Sequence, residues 1–281
     1  MSGPRPEHPA AGGEQGVVDL SRERQRLRVA GEDRVDFLHG QCTNDIRRLA
    51  VGESCYAAFL NARGKMRGEG HIICQPDAFL LEVNPGLAPS LEKFIITEDV
   101  TIDDVSATLG EWLMVGEADA SLPSKAATFR HPLGLGVISE EPMIATISPD
   151  MLEALRIEAA TPRWGADMDE STIPNEAGLE RRVISYDKGC YVGQETIARI
   201  KTYGHVNRRL VQLACVEDSA LARGDKILAD GREVGQVTST AFSPRLGKPL
   251  ALGYVRREFA MAGVKLRLND HTAEVLRICG E

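Results

Sequence analysis

The stretch Lys188-Gly-Cys-Tyr-Val-Gly-Gln-Glu195 combines a cysteine, a lysine and two glycines within eight residues. Its two glycines permit backbone turns that a side chain would obstruct, and residues 196–201 have the pattern of a beginning helix. Cys190 is therefore predicted just before a helix N-terminus, with Lys188 beside it. The free N–H groups of a helix start and a nearby ammonium both favour thiolate. We expect Cys190 to be the most reactive of the six cysteines.

The composition excludes several classes of protein. The chain has 281 residues, of which 43% are hydrophobic and 26% charged, as is typical of a globular protein with substantial cores. Its net charge of −8 argues against a general nucleic-acid binder, which needs a basic surface. The sequence contains no apolar run of the ~18 residues expected of a transmembrane helix.

The N-terminal residues 1–16 contain several prolines and a glycine pair but no apolar segment typical of a signal peptide. We interpret them as a disordered tail of a cytoplasmic protein. The six cysteines form no C-x-x-C pair and no cluster with the six histidines, which disfavours a self-contained zinc site. We expect these thiols to be reduced.

The alternation of strand and helix patterns with hairpin turns predicts an α+β fold for residues 17–206, built as two interleaved subdomains. From residue 207 to residue 281 six short strand patterns follow one another, and Asp230-Gly231 is predicted to form a tight hairpin. This spacing is typical of a small β-barrel.

Near the N-terminus, the segment Arg22-Glu-Arg-Gln-Arg-Leu-Arg-Val29 has an arginine at every second position. We interpret them as a solvated strand face; the alternative is a basic wall for an anionic ligand.

Several motifs resemble those of the YgfZ-type folate-binding proteins, which are relatives of the glycine-cleavage T-protein, an aminomethyltransferase. They are Arg28-Val-Ala-Gly-Glu-Asp, Phe37-Leu-His-Gly-Gln-Cys-Thr-Asn-Asp45, Asn61-Ala-Arg-Gly-Lys65, the stretch 188–195 and Gly235-Gln-Val-Thr-Ser239. The resemblance implies a three-domain cloverleaf around a tetrahydrofolate pocket, with a ferredoxin-like α+β unit and a C-terminal β-barrel.

The resemblance also implies a function in the assembly or repair of iron–sulfur clusters, in which Cys190 carries the activity. The other motif residues of this stretch are Gly189, Tyr191, Gly193, Gln194 and Glu195. Iron–sulfur clusters commonly need four protein ligands, so one cysteine is incomplete alone. The remaining ligands would come from a partner protein, from small thiols, or from Cys42 or Cys215 if the fold brings them close. Any cluster is expected to be transient and shared with a partner. Iron–sulfur assembly factors or client proteins are the expected partners.

For the folate itself, the resemblance assigns Glu158 to the pterin ring, whose adjacent N–H donors one carboxylate can accept as a pair. Lys188 and Arg199 are also assigned to folate binding. The residues alone favour a different interpretation, in which Glu158 is a helix-end side chain in a surface ion pair, because most glutamates are exposed. Arg199, Lys201, Arg208 and Arg209 could receive the glutamate tail of the folate or form an ordinary solvated face.

The sequence differs from the aminomethyltransferases at a position that is catalytic in their reaction. Aminomethyltransferases carry a catalytic aspartate in the strand after the Asn61 turn, and the corresponding residue here is Gly68, with Glu69 next to it. A glycine cannot act as an acid, and Glu69 would point to the other face of a strand. Three functions stay open: a folate-binding accessory protein for iron–sulfur clusters, a T-protein-class transferase that uses Glu69, and a non-enzymatic folate-binding scaffold.

Overall fold

The computed structural model describes residues 14–116, 120–215 and 221–281. Residues 1–13 of the predicted tail lie outside the described residues, and the first strand already begins at Gly16. Within the described part of the chain, no helix has the length and apolar character needed to cross a membrane.

The described residues form fifteen strands and five α-helices. The strands are β1 Gly16–Asp19, β2 Gln25–Ala30, β3 Ser54–Leu60, β4 Met66–Cys74, β5 Ala78–Val83, β6 Thr101–Asp104, β7 Gly110–Val115, β8 Ala127–His131, β9 Gly134–Ser139, β10 Arg208–Cys215, β11 Lys226–Ala229, β12 Arg232–Ser243, β13 Lys248–Arg256, β14 Lys265–Leu268 and β15 His271–Ile278. The helices are α1 Arg34–Gln41, α2 Ala88–Glu92, α3 Pro149–Glu158, α4 Glu180–Val183 and α5 Gln194–Tyr203.

The strands build two open antiparallel sheets and one closed barrel. The first sheet has the order β1-β7-β9-β8 and the second the order β3-β4-β5-β2-β6. In the second sheet, α1 follows β2 and α2 lies between β5 and β6, so β4, β5, β2 and β6 have the ferredoxin-like arrangement and β3 extends one edge. The α+β prediction is therefore confirmed.

The barrel closes in the order β10-β13-β12-β11-β14-β15, which confirms the six strands expected from the sequence. Asp230-Gly231 joins β11 to β12 as the predicted hairpin. Helix α3 lies between the barrel and the first sheet. Its Ile157 packs with Leu250 of the barrel, and Leu155 packs with Leu113 of β7. Burial of these apolar side chains on both sides of α3 joins the barrel to the first sheet.

The arginines near the N-terminus do not form one solvated face, because Arg22 is exposed but Arg26 is buried. Arg26 is 1% exposed, and its guanidinium donates to the carbonyls of Ser21 at 2.9 Å, Ser106 at 2.9 Å and Leu109 at 3.0 Å. These bonds tie β2 to the segment that leads into β7, and so connect the second sheet to the first. A buried guanidinium is tolerated because its donors are satisfied, and the prediction of solvent exposure is wrong for Arg26.

Two glycines let the turn between β3 and β4 pack against the start of α5. Gly193 precedes α5 with φ +86°, and a Cβ there would lie 2.5 Å from the Asn61 carbonyl oxygen. Gly64, with φ +75°, would place a Cβ 2.6 Å from the Cβ of Thr196. Both residues combine a left-handed backbone with a close approach that only glycine permits.

We expect Gly193→Ala to lower the free energy of unfolding by about 3 kcal/mol, because left-handed strain and overpacking add. Gly204→Ala at the C-terminus of α5 is the matched control. Gly204 also has a positive φ, +88°, but a Cβ there meets nothing within 4 Å, so only the strain of about 1 kcal/mol is expected. Urea unfolding of both variants measures the difference. Equal losses would contradict the packing described here.

Candidate functional site

A cavity of about 390 Å³ lies among the two sheets and α3, and we call it the central cavity. Strands of the second sheet provide Tyr56, Glu69, His71 and Glu82, and strands of the first sheet provide Glu111, Phe129 and His131. The other polar or aromatic lining residues are Glu23, Arg24, Asp150, Glu153, Arg156, Thr161, Arg163, Trp164 and Arg182. The volume is in the range of small-molecule sites.

One wall of the central cavity is a buried ionic network around Arg24. Its Nη1 donates to Glu69 Oε1 at 2.7 Å, and its Nε donates to Glu82 Oε1. Burial alone would raise the pKa of Glu82, but the charge of Arg24 and the hydrogen bond with His71 outweigh burial and hold that pKa well below its ordinary value. Glu82 is therefore a carboxylate. The reading of Arg24 as solvent-exposed is wrong, because the guanidinium lines the cavity.

The His71 ring lies in the cavity between an aromatic ring of each sheet. Its ring stacks on Tyr56 with 4.7 Å between centroids and on Phe129 of the first sheet with 4.2 Å. Its Nδ1 lies 2.8 Å from Glu82 Oε2, and because Glu82 is ionised we assign the proton to Nδ1. Nε2 is then an acceptor, and it is buried without a hydrogen-bond partner among the described residues.

Two further titratable groups of the cavity have pKa values shifted toward their uncharged forms. Burial, followed by the neighbouring charge of Glu82, raises the pKa of Glu111 well above its ordinary value. Burial, reinforced by His71 and Arg182, lowers the pKa of His131 to about 3. His131 Nδ1 accepts from the Leu133 N–H at 3.2 Å. The cavity thus combines stacked rings with neutral and paired polar groups.

The structure positions Glu158 away from the central cavity, in contact with the barrel. Glu158 is the last residue of α3 and is 3% exposed. Its carboxylate accepts from Ser243 Oγ and, at 3.3 Å, from Arg245 Nε. It does not contribute to the cavity lining. The role in pterin binding stays a prediction, and in this geometry the carboxylate already has protein partners.

The basic residues suggested for the glutamate tail also lie outside the lining of the central cavity. Arg199 is exposed and pairs with Glu195 along α5 at 2.7 Å, a surface ion pair that contributes little. The Lys201 ammonium lies 3.7 Å from the centre of the Tyr186 ring. Arg208 pairs with Glu176 and Arg209 with Glu281. The cavity has its own cationic group near solvent in Arg163, whose side chain is 51% exposed.

Residues 188–195, which we call the octet, wrap the C-terminal end of α1. The Lys188 ammonium donates to the carbonyls of His39 at 2.6 Å, Cys42 at 2.7 Å and Asn44 at 2.9 Å. The Val192 N–H donates to the Gly40 carbonyl at 3.1 Å. A cation that binds the last carbonyls of a helix satisfies groups that lack partners inside the helix. Lys188 is therefore a cap for α1.

Cys190 is exposed, whereas its neighbour Tyr191 is buried at 8% exposure. The Lys188 ammonium is bound to main-chain carbonyls, so its position does not support the electrostatic activation expected from the sequence. Helix α5 begins at Gln194, four residues after Cys190, and the helix dipole weakens beyond the first turn. What distinguishes Cys190 from Cys42 and Cys215 is exposure, because both of those thiols are buried.

Gly68 and Glu69 lie on opposite faces of β4, as the alternation of a strand requires. A Cβ at Gly68 would lie 2.3 Å from Asn84 Oδ1, in a space that Asn84 and Leu87 fill. Glu69 lines the central cavity and is paired with Arg24. Among the described residues, no group of three or more His, Cys, Asp or Glu side chains could hold a metal ion.

Sequence reasoning did not single out His71, Glu82 or Glu111 as functional. A signal was present for the first two, because His71 and Glu82 lie in short strand-like segments whose other residues are apolar. A charged residue is rarely buried unless it is paired. For Glu111, the local sequence offers only one acidic residue before an apolar run. Its burial depends on pairing between distant strands.

The fold, with its two sheets, the cavity between them and the closed barrel, defines a protein of the T-protein class. Residues 208–277 match the glycine cleavage T-protein C-terminal barrel domain. A chloroplastic protein from Arabidopsis thaliana named as a transferase is 30% identical over 92% of this chain and 69% of its own length. An aminomethyltransferase from Nostoc sp. is 26% identical over 95% of this chain and 84% of its own length.

Among solved structures, the glycine cleavage system aminomethyltransferase T from Bartonella henselae superimposes with a TM-score of 0.78 at 19% identity. The match covers 93% of this chain and 85% of that one. This similarity shows the fold. The Arabidopsis relative and the match to the barrel domain establish that the chain belongs to the glycine cleavage T-protein superfamily.

We expect Lys188→Met to lower the free energy of unfolding by about 3 kcal/mol, because it leaves buried carbonyls without a donor. Lys226→Met is the control, since Lys226 is exposed and makes one surface ion pair with Glu233; a change within about 0.5 kcal/mol is expected there. Urea unfolding measures both. A Lys188→Met protein as stable as the control would show that the ammonium does not hold α1 and the octet together.

Proposed function

We propose that this chain is a tetrahydrofolate-binding accessory protein of the YgfZ-type branch, which supports assembly or repair of iron–sulfur clusters through Cys190. The central cavity is the proposed folate site. The observation that carries this proposal is the composition of the cavity wall, where planar rings lie next to buried groups able to hydrogen-bond a heteroaromatic ligand.

The cavity suits the ring of a folate for three reasons. Its volume of about 390 Å³ suits a bicyclic ring. Tyr56, His71, Phe129 and Trp164 provide aromatic surface against which such a ring can stack. Arg163, half-exposed at the lining, is a cation to which a carboxylate of the glutamate tail can bind as it leaves the cavity.

The exposed Cys190 supplies the second part of the proposed function. An exposed thiol can contact a cluster or exchange with a disulfide, whereas the buried Cys42 and Cys215 cannot reach a partner without local unfolding. Because Cys190 is the single exposed cysteine of the six, a cluster that it contacts takes its remaining ligands from a partner protein or small thiols. Tetrahydrofolate would then bind in the central cavity, and the cluster would bind at Cys190 outside it.

We expect the reduced protein to bind one tetrahydrofolate in anaerobic calorimetry and Cys190→Ala to bind it with unchanged affinity, because the thiol does not line the cavity. In cells that lack the chromosomal copy, the same variant should fail to restore the activity of a [4Fe–4S] dehydratase. Cys74→Ala, a partly buried cysteine, is the control that should restore it. Full restoration by Cys190→Ala would exclude the iron–sulfur role, and absence of binding by the native chain would exclude the folate role.

The second candidate is an aminomethyltransferase, favoured by the names of the relatives and by the position of Glu69 in the cavity. Against it, the Glu69 carboxylate is already neutralised by Arg24 at 2.7 Å, and Gly68 replaces the aspartate. To contact a substrate, the Glu69 carboxylate would first have to break this ion pair with Arg24.

We therefore expect no tetrahydrofolate-dependent release of ammonia when the protein is mixed with an aminomethylated lipoyl carrier protein. The assay is run with the native chain, Glu69→Gln and Cys190→Ala. Turnover that Glu69→Gln abolishes and Cys190→Ala leaves intact would replace the accessory function with the transferase function.

A further inference from the structure

Glu111 is held rigidly with its side chain in the wall of the central cavity. Its N–H donates to Ser21 Oγ at 2.9 Å, and its carbonyl accepts from the Leu20 N–H at 2.9 Å. The residue is 1% exposed. Both carboxyl oxygens are buried and have no hydrogen-bond partner among the described residues. Such a group is costly, so its presence needs an explanation.

The neighbours of Glu111 explain why it is left unpaired. Four charged groups influence it: Arg24, Arg26, Glu69 and Glu82. Arg24 is bound to Glu69 and Glu82, and the Arg26 guanidinium donates to main-chain carbonyls. Neither cation hydrogen-bonds to Glu111. Burial and the charge of Glu82 keep the carboxyl protonated, as its raised pKa indicates.

A protonated carboxyl presents an O–H donor and a C=O acceptor side by side. The complementary partner is a ring lactam, in which an N–H lies next to a C=O, and the pair forms two parallel hydrogen bonds. The oxidised and reduced pterin rings of folates have such an edge. An isolated carboxylate or a simple hydrocarbon would satisfy only part of the carboxyl group or none of it.

We propose, resting on the folate function above, that the buried, unpartnered Glu111 carboxyl recognises the lactam edge of a pterin-type ring bound in the central cavity. His71 Nε2 is a second unpartnered acceptor in the same cavity, and it is available to a further ring N–H or amino group. Glu158 is a weaker candidate, because its carboxylate already accepts from Ser243 and Arg245.

The test compares Glu111→Met, which has similar length but no polar atoms, with Glu111→Gln, which keeps a donor beside an acceptor. We expect Glu111→Met to weaken tetrahydrofolate binding about tenfold or more and Glu111→Gln to stay within about threefold of the native chain. Glu111→Leu serves as a second apolar variant if Glu111→Met does not fold. Glu233→Gln is the carboxylate control: Glu233 is exposed, pairs with Lys226 and does not line the cavity, so affinity should be unchanged.

Two readouts separate ring recognition from a general disturbance of the cavity. With 6-methyltetrahydropterin, which lacks the tail, Glu111→Met should lose affinity by the same factor as with tetrahydrofolate. Arg163→Gln should weaken tetrahydrofolate alone. The apolar variants should also raise the melting temperature of the free protein, because a buried unpartnered carboxyl is removed.

These measurements separate a failure of the proposed folate function from a failure of the inference about Glu111. A native chain that binds neither ligand overturns the proposed function together with this inference. Binding by the native chain that Glu111→Met leaves unchanged overturns only the inference. Glu111→Gln as weak as Glu111→Met overturns it as well, because an uncharged donor and acceptor would then not suffice.

Discussion

The Arg24 guanidinium is the group on which the central cavity depends. Three carboxyl groups, Glu69, Glu82 and Glu111, lie buried around the same space, and in a medium of low dielectric three negative charges there would repel one another strongly. Arg24 pairs with Glu69 and Glu82, and its charge holds the pKa of Glu82 well below its ordinary value. Glu111 is then left without a cation, and its pKa is raised. Arg24 therefore decides which carboxyl group of the wall has no partner.

A second set of contacts brings together the sequence motifs that resemble those of the family. The Lys188 ammonium caps the end of α1, and Gly193 fits against the Asn61 carbonyl at the turn between β3 and β4. Three stretches far apart in sequence therefore meet at one junction, and Cys190 projects from it toward solvent. The junction gives these residues a shared structural role, whereas the central cavity is where we propose that the ligand binds.

The sequence predicts local features well and the site poorly. The barrel strands and the Asp230 hairpin follow from alternation and turn residues, which are local signals. Glu111 lies in the cavity only because β7 pairs with β1 and β9 and faces strands of another sheet. Likewise, spacing along the chain suggested that Lys188 acts on Cys190, but its ammonium turns toward carbonyls about 145 residues earlier in the chain. Long-range pairing, which has no local signature, decides these positions.

The central claim is that the cavity between the two sheets is the ligand site of this protein. A crystal structure of the chain grown with tetrahydrofolate tests it most directly. The account predicts the pterin ring in the central cavity, in contact with His71 and hydrogen-bonded to Glu111, with the tail leaving past Arg163. A ring bound against the barrel at Glu158, or beside Cys190 on the octet, would contradict it.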